Sequence, residues 1–283
     1  MTPVCIPLSH RGVLALSGEN VYGFLQGLLS NDTERVRSGS AIYAALLTPQ
    51  GKFLHDVFVV ECEGVVYLDA EAGRLDDLAK RLRRYRLRAK IAIEDACSRW
   101  RVEAVPEGAA HFGLAGSGPG KTARFDGCVS YIDPRDELFG VRLLRQAERP
   151  TGLPEGNFDD YEVLRYRLGA PDGSRDMPIG QAFLLESGFE QLNGVDWEKG
   201  CYVGQEVTAR THYRGAVRRR LTPVALDSPI ASGVRITAAG RSVGEMRSSR
   251  NGLGLALLHL DRIGDDVDLE ADGACLRVLK TEG

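Results

Sequence analysis

Cys201 is the residue of this chain best placed to do chemistry. It lies in Lys199-Gly200-Cys201-Tyr202-Val203-Gly204-Gln205-Glu206, a thiol between two glycines with a cation two positions ahead. Glycines let the backbone bend closely around a ligand. Downstream, Gln205, Glu206 and Thr208 suit a helix opening, and Arg210, His212 and Arg214 follow. A cysteine at that helix start would feel the N-terminal dipole and the nearby cations. Both stabilise a thiolate, the form that attacks and that binds metals. The same residues also fit a small buried side chain in a Gly-rich turn, because free cysteine is among the most buried residue types.

Other patterns point to chemistry less directly. Residues 115–122, Ala-Gly-Ser-Gly-Pro-Gly-Lys-Thr, resemble a relaxed phosphate-binding loop. That chemistry needs a helix after the lysine, whereas 123–132 contains Gly127 and reads as turn and strand. Pro119 also removes one N–H from the would-be cradle, so a surface turn is expected. Gly240-Arg241-Ser242-Val243-Gly244 fits the pattern of a serine-hydrolase elbow. That elbow belongs in a large α/β sheet, and among short strands two glycines more simply make a hairpin. The five histidines are scattered, with no HExxH or i, i+4 pair of a metal site. Lys80, Arg81, Arg83, Arg84, Arg86, Arg88 and Lys90 form a basic run that could attract a polyanion, RNA or a polyglutamate tail. Asp76, Asp77, Glu94 and Asp95 offset it, and a solvated helix face explains it as well.

The elements that must position these residues follow from composition and periodicity. The chain has 283 residues, 43% apolar and 27% charged, with a net charge of −3. Such a chain folds and holds material for about two domains of roughly 150 residues. Near charge balance excludes global steering toward nucleic acid. No stretch approaches the roughly 18 to 20 consecutive apolar residues of a membrane helix, and the opening residues lack a signal-peptide layout. Six cysteines, the closest pair 31 apart, show neither zinc spacing nor a disulfide framework. A reducing compartment is expected: the cytoplasm, or the mitochondrial matrix in a eukaryote.

Val21, Phe24, Leu25, Leu28 and Leu29 recur at helical spacing and predict a helix over 19–30, with Ser17 near its cap. Apolar runs at 41–47 and 53–60 flank Pro49-Gln50-Gly51-Lys52 and predict a hairpin, with a third strand at 65–68. Leu75, Leu78, Leu82 and Tyr85 mark a second helix. Strands are expected at 91–93, 100–105 and 138–144, and a helix at 158–168 with Asp159 and Asp160 favouring its start. From about Val217, short alternating runs at 221–226, 234–237, 242–246, 255–258, 267–269 and 275–279 are separated by Gly, Ser and Asp turns. They predict a small all-β module.

The 199–206 segment closely resembles the signature K-G-C-Y-[IV]-G-Q-E of YgfZ-type proteins. These are folate-binding iron–sulfur cluster assembly factors of the YgfZ/GcvT family, related to the glycine cleavage T protein. Phe24-Leu25-Gln26-Gly27 with Asn31-Asp32, the hairpin around Asp56, and Arg167-Leu168-Gly169 before Pro171 also look like the family. So do Leu185-Glu186-Ser187-Gly188 and Thr208-Ala209-Arg210, so the likeness spans nearly the whole chain.

The resemblance implies an α+β, GcvT-like fold: two interleaved α+β subdomains around a central folate-sized cavity, plus a C-terminal small β barrel. The expected division is residues 1–216, with 1–45 and 139–216 forming one subdomain and 46–138 the other, and 217–283 for the barrel. By likeness to the T protein, Glu186 takes the place of a carboxylate that binds the pteridine, whose amino and ring N–H groups offer two parallel donors. Asn31, Asp32 and Asp56 are further folate-lining candidates, with Lys199, Tyr202, Gln205 and Arg210 around the signature.

The T protein carries paired acids where this chain has His55-Asp56, which argues against aminomethyl transfer. The expected function is therefore that of a tetrahydrofolate-binding accessory protein for assembly or repair of iron–sulfur proteins, not a turnover enzyme. Cys201 would be the functional thiol, transiently ligating a cluster shared with a carrier or client protein, since one cysteine cannot satisfy a cluster alone. The alternatives are a folate-dependent one-carbon transferase and a non-catalytic adaptor without folate.

Overall fold

The computed structural model describes residues 2–215, 217–263 and 268–279. A five-stranded antiparallel sheet runs in the order Ile42–Leu47, Phe53–Cys62, Val65–Glu71, Arg11–Gly18, Ile91–Asp95. Successive side chains leave a strand on opposite faces. Accordingly Ile42, Ala44 and Leu46 pack in one core with Leu25, Leu29, Leu78 and Leu82, while Tyr43, Ala45 and Leu47 pack in another with Trp100, Val102 and Val129. Because both faces are covered, the hairpin strands are apolar almost throughout instead of alternating.

The second core is closed by another five-stranded sheet, ordered Ile6–Pro7, Trp100–Val105, Val141–Gln146, Cys128–Ile132, Thr122–Phe125. Helices Val21–Gln26 and Leu75–Arg86 cover the outer face of the first sheet, and Leu75, Leu78, Ala79 and Leu82 form the buried stripe of the longer one.

Strand pairings run across the expected boundaries at 45/46 and 138/139. The first boundary cuts the hairpin in which Ala45 faces Asp56, and the second separates Trp100–Val105 from its partner Val141–Gln146. Local expectations shift less. The first helix is confined to Val21–Gln26, because Gln26 turns its side chain back to bind Thr33 and Asp32. Ser17 lies in strand Arg11–Gly18 rather than at a helix cap. Leu138 lies in a short 3-10 turn, and the strand begins at Val141.

The C-terminal strands Arg220–Leu226, Leu253–Leu258, Arg241–Arg250, Arg235–Ala238, Leu269–Ala271 and Ala274–Val278 close into a barrel with its own apolar core. Of the strand expected at 267–269, Val267 lies outside the described residues. Gly240 makes the hairpin between Arg235–Ala238 and Arg241–Arg250, and the 115–122 segment leads into strand Thr122–Phe125. The barrel is fastened to the body through buried polar groups. Arg165, on helix Phe158–Arg167, donates to Ser248 of the barrel at 3.1 Å and to Asp176 at 2.6 Å.

Candidate functional site

Residues 193–203 run alongside 26–31, joined by a series of long-range hydrogen bonds. Asn31 Nδ2 donates to the Asn193 carbonyl at 2.7 Å, Ser30 Oγ to Gly194 O at 2.6 Å, and Asp196 N to Ser30 O at 3.0 Å. Lys199 Nζ donates to the carbonyls of Gln26 at 2.5 Å and Leu29 at 2.9 Å, where the first helix ends. A cation there satisfies carbonyls that the helix leaves without partners. Gln26 Nε2 returns a bond to Lys199 O at 3.2 Å and another to Asp32 Oδ1 at 2.8 Å, and Val203 N donates to Gly27 O at 3.1 Å. Asp196 Oδ1 accepts from the N–H groups of Glu198 and Lys199 and tightens the turn before the cysteine.

Cys201 stands exposed at the tip of this anchored loop. Gly204, at φ +84°, caps helix Gln205–Tyr213, and a Cβ at that position would collide with the Thr48 carbonyl. Tyr202 to Gly204 separate the thiol from the helix. Cys201 therefore lies ahead of the first turn, to which dipole effects are largely confined. The cation behind the loop is Lys199. Burial lowers its pKa to about 8, opposed by Asp32, Asp196 and Cys201, and its ammonium sits 4.8 Å over the Tyr202 ring. Tyr202 is buried with its hydroxyl unpartnered, and burial pushes the phenol to about 12. Gln205 Oε1 accepts from Tyr202 N at 3.3 Å.

The other cysteines differ in kind. Cys5, Cys62 and Cys128 are buried, and desolvation pushes Cys5 to about 12 and Cys128 to about 11. Half-buried Cys97 accepts a bond from Val13 N at 3.3 Å, and desolvation raises its pKa as well. Cys275 is exposed, but Asp227 leads the causes that raise its pKa.

The folate-lining candidates are dispersed. Asn31 is buried with its amide engaged by the Tyr43 and Asn193 carbonyls, and Asp32 Oδ1 accepts from Gln26 and from Glu34 N. Asp56 and His55 point to opposite faces of their strand. Asp56 is enclosed at 3.1 Å from Arg11 Nη1, its pKa raised by desolvation against the pull of that guanidinium. His55 lies 2.9 Å from Asp77, and desolvation lowers its pKa to about 4. Glu186 sits at the seam with the barrel and accepts two parallel bonds from Arg219, Nε at 3.1 Å and Nη2 at 2.9 Å. Two cavities adjoin it. One, of about 160 Å³, also touches Asp176, Ser187 and Arg247; the other, of about 130 Å³, is bounded by Thr208 and Thr211 of the helix after Cys201. Arg210 is exposed on that helix.

One arrangement was not foreseen. His212 stacks on Trp197 at 3.9 Å between centroids and lies 2.7 Å from Glu190, beside Tyr213, which is 76% exposed. Trp197 is four residues ahead of Cys201, but nothing in the spacing announces its partner.

The chain is 36% identical over 92% of its length to "Iron-sulfur cluster assembly factor IBA57, mitochondrial" of Mus musculus, covering 78% of that protein. It is 35% identical over 94% of its length to the Homo sapiens protein of the same name, covering 80% of it. Residues 218–282 match the family described as CAF17, C-terminal beta-barrel domain. Among solved structures, the glycine cleavage system aminomethyltransferase T of Bartonella henselae superposes with a TM-score of 0.77 at 17% identity, over 99% of this chain and 85% of that one. That likeness establishes a GcvT-like fold with a C-terminal barrel.

Proposed function

The chain belongs to the IBA57 family of iron–sulfur cluster assembly factors, and from that premise we propose that Cys201 is the thiol through which it works, ligating a cluster shared with a carrier or client protein. The observation that carries this reading is the contrast among the six cysteines. Iron is bound by thiolate, and only Cys201 is both exposed and backed by a cation on a loop anchored along its length. Among the described residues no group of three or more His, Cys, Asp or Glu could hold a metal. A cluster with about four ligands would then take the rest from another molecule, which suits cargo in transit. Lys199, Gln205, Tyr202, Asn31 and Asp32 serve in this reading by holding the loop, and the exposed Arg210 borders the approach.

Tetrahydrofolate, or a derivative, is proposed as a ligand at Glu186. The support is the carboxylate's present partner, since Arg219 aims two parallel N–H donors at it and the amino-pyrimidine edge of a pterin offers the same pattern. Glu186 would hold that edge, with Ser187, Thr208 and Thr211 around it. The adjoining cavities are each below the ~300 Å³ of a typical small-molecule site, so the fit requires Arg219 to withdraw. Such a ligand supplies a reduced pteridine able to carry one-carbon groups. Asp56 is engaged by Arg11, and the transferase alternative, which leans on a free carboxylate near the folate, is not adopted. The mitochondrial names of the relatives support the matrix over the cytoplasm as the compartment. No helix among the described residues is long and apolar enough to cross a membrane.

Anaerobic reconstitution with a cluster-loaded carrier tests the thiol reading. Native chain and Cys275→Ser should form the same shared-cluster absorption, and Cys201→Ser should form none. An unchanged spectrum with Cys201→Ser would overturn it.

A further inference from the structure

A cavity of about 350 Å³, larger than either space at Glu186, opens between the barrel surface and the segment that enters the barrel. Its floor is built by register. Arg235 faces Glu245, and Glu245 faces Leu257, across three neighbouring strands. The residues on either side of Leu257, Ala256 and Leu258, point into the barrel core, so this row faces outward. Arg219, Arg262 and His259 also line it.

The charges around this cavity are unbalanced. Glu245, the one acidic lining residue among the described residues, is engaged by Arg247 at 2.6 Å, and Arg219 is engaged by Glu186. Among the described residues, neither Arg235 nor Arg262 has a carboxylate within ion-pair distance. His259 Nδ1 is enclosed without a hydrogen-bond partner, the nearest carboxylate, Asp261, lying 3.9 Å away. Desolvation and then Arg262 and Arg219 lower its pKa, and an imidazole in its neutral form donates one hydrogen bond and accepts another. Guanidinium groups that line one concave wall and, among the described residues, have no carboxylate partner focus a positive potential there. Each fork matches two oxygens of one carboxylate or phosphate. The cavity also shares Arg219, Glu245 and Leu257 with the cleft beside Glu186, so the two spaces are neighbours.

We propose that this barrel cavity binds an oligoanion, a molecule carrying two or more neighbouring oxyanion groups, with Arg235 and Arg262 as its principal contacts and Ser242 and His259 completing the hydrogen bonds. The assignment stands on the cavity alone and is independent of Cys201 and of folate. It also lies away from the basic run at 80–90, for which the sequence leaves a solvated helix face and a polyanion site both open. There Arg83 and Arg86 donate to the Ile93 and Ile91 carbonyls, and Lys90 pairs with Glu19. The barrel cavity is concave where that helix face is not.

The test is calorimetric titration of the full chain at near-physiological salt, where loose surface attraction is screened, with two probes: inorganic pyrophosphate and γ-linked triglutamate. At least one should bind, and the tighter of the two identifies whether phosphate or carboxylate is the natural source. Replacing Arg235 and Arg262 together by Gln should weaken that binding about tenfold or more, as expected for losing charge-assisted bonds. Lysine at both positions should restore part of it, and both arginines are exposed enough for either variant to fold. Cys201→Ser and the pair Arg84→Gln, Arg88→Gln should leave it unchanged. Absence of heat with both probes, or loss caused by the helix pair instead of the barrel pair, overturns the assignment.

Discussion

The loop at Cys201 and the seam at Glu186 present their proposed functional atoms in opposite ways. Around Cys201 the hydrogen-bonding capacity goes into holding the backbone. Lys199, Gln26, Asn31 and Asp196 bind main-chain groups and leave the sulfur free. At the seam the functional atoms are themselves engaged, because both Glu186 oxygens accept from Arg219. The thiol is thus preorganised and open, whereas the carboxylate must exchange one partner for another before it binds anything. Preorganisation lowers the cost of association, so a partner at the thiol would bind without rearrangement, whereas a ligand at the seam would first have to displace Arg219.

The sharpest way to break this comparison is at the sulfur. Cys201→Ala should abolish rescue of iron–sulfur enzyme activity in cells lacking the protein while leaving the thermal midpoint unchanged, since the side chain is exposed. Rescue by this variant would remove the distinction between the two regions. At the seam, Glu186→Gln should weaken tetrahydrofolate binding about tenfold in equilibrium titration, the cost of a charge-assisted pair. It should destabilise the fold by no more than about 1 kcal/mol, because the ion pair is partly exposed. Equal folate affinity for the variant and the native chain would show that the carboxylate holds nothing but Arg219.

Lys199→Met should cost about 1–3 kcal/mol in denaturant unfolding, because the Gln26 and Leu29 carbonyls lose their donor in a half-buried site. It should also slow cluster transfer without removing the thiol. The smallest effect is a pH dependence. Burial lowers Lys199 from 10.5 to about 8, so the unfolded chain retains its proton over an interval in which the folded chain has released it. Folding then gains stability as pH rises from about 8 to 10.5. The difference in unfolding free energy between the native chain and Lys199→Met should grow in favour of the native chain over that window. A flat or falling difference would mean that the ammonium is not desolvated.

Legibility in the sequence tracks how local the cause is. Five of the six barrel strands coincide with expected alternating runs to within a few residues, and so does the hairpin around Gly51, because period-two alternation bounded by glycine turns is written in consecutive residues. The first helix came out too long because Leu28 and Leu29 are buried by the sheet and not by helical continuation. Strand Arg11–Gly18 escaped notice: it is buried on both faces and shows no alternation. The grouping of strands into sheets is not legible in the sequence for a related reason. Which strand neighbours which depends on pairings such as Leu14 with Leu68 and Leu143 with Glu103, and no local pattern encodes them.

By itself the sequence determined the barrel module, the hairpin, the helix after Gly204 and the signature around Cys201, since propensity, turn chemistry and an eight-residue motif act over short distances. The tertiary structure decided that of six thiols only Cys201 and Cys275 are exposed, and that Lys199 reaches carbonyls some 170 positions earlier. It also decided that Glu186 meets Arg219, and that His55 and Asp56 part to opposite sides of one strand. Burial and charge pairing come from residues distant in the chain and adjacent in space, and only folding brings those together.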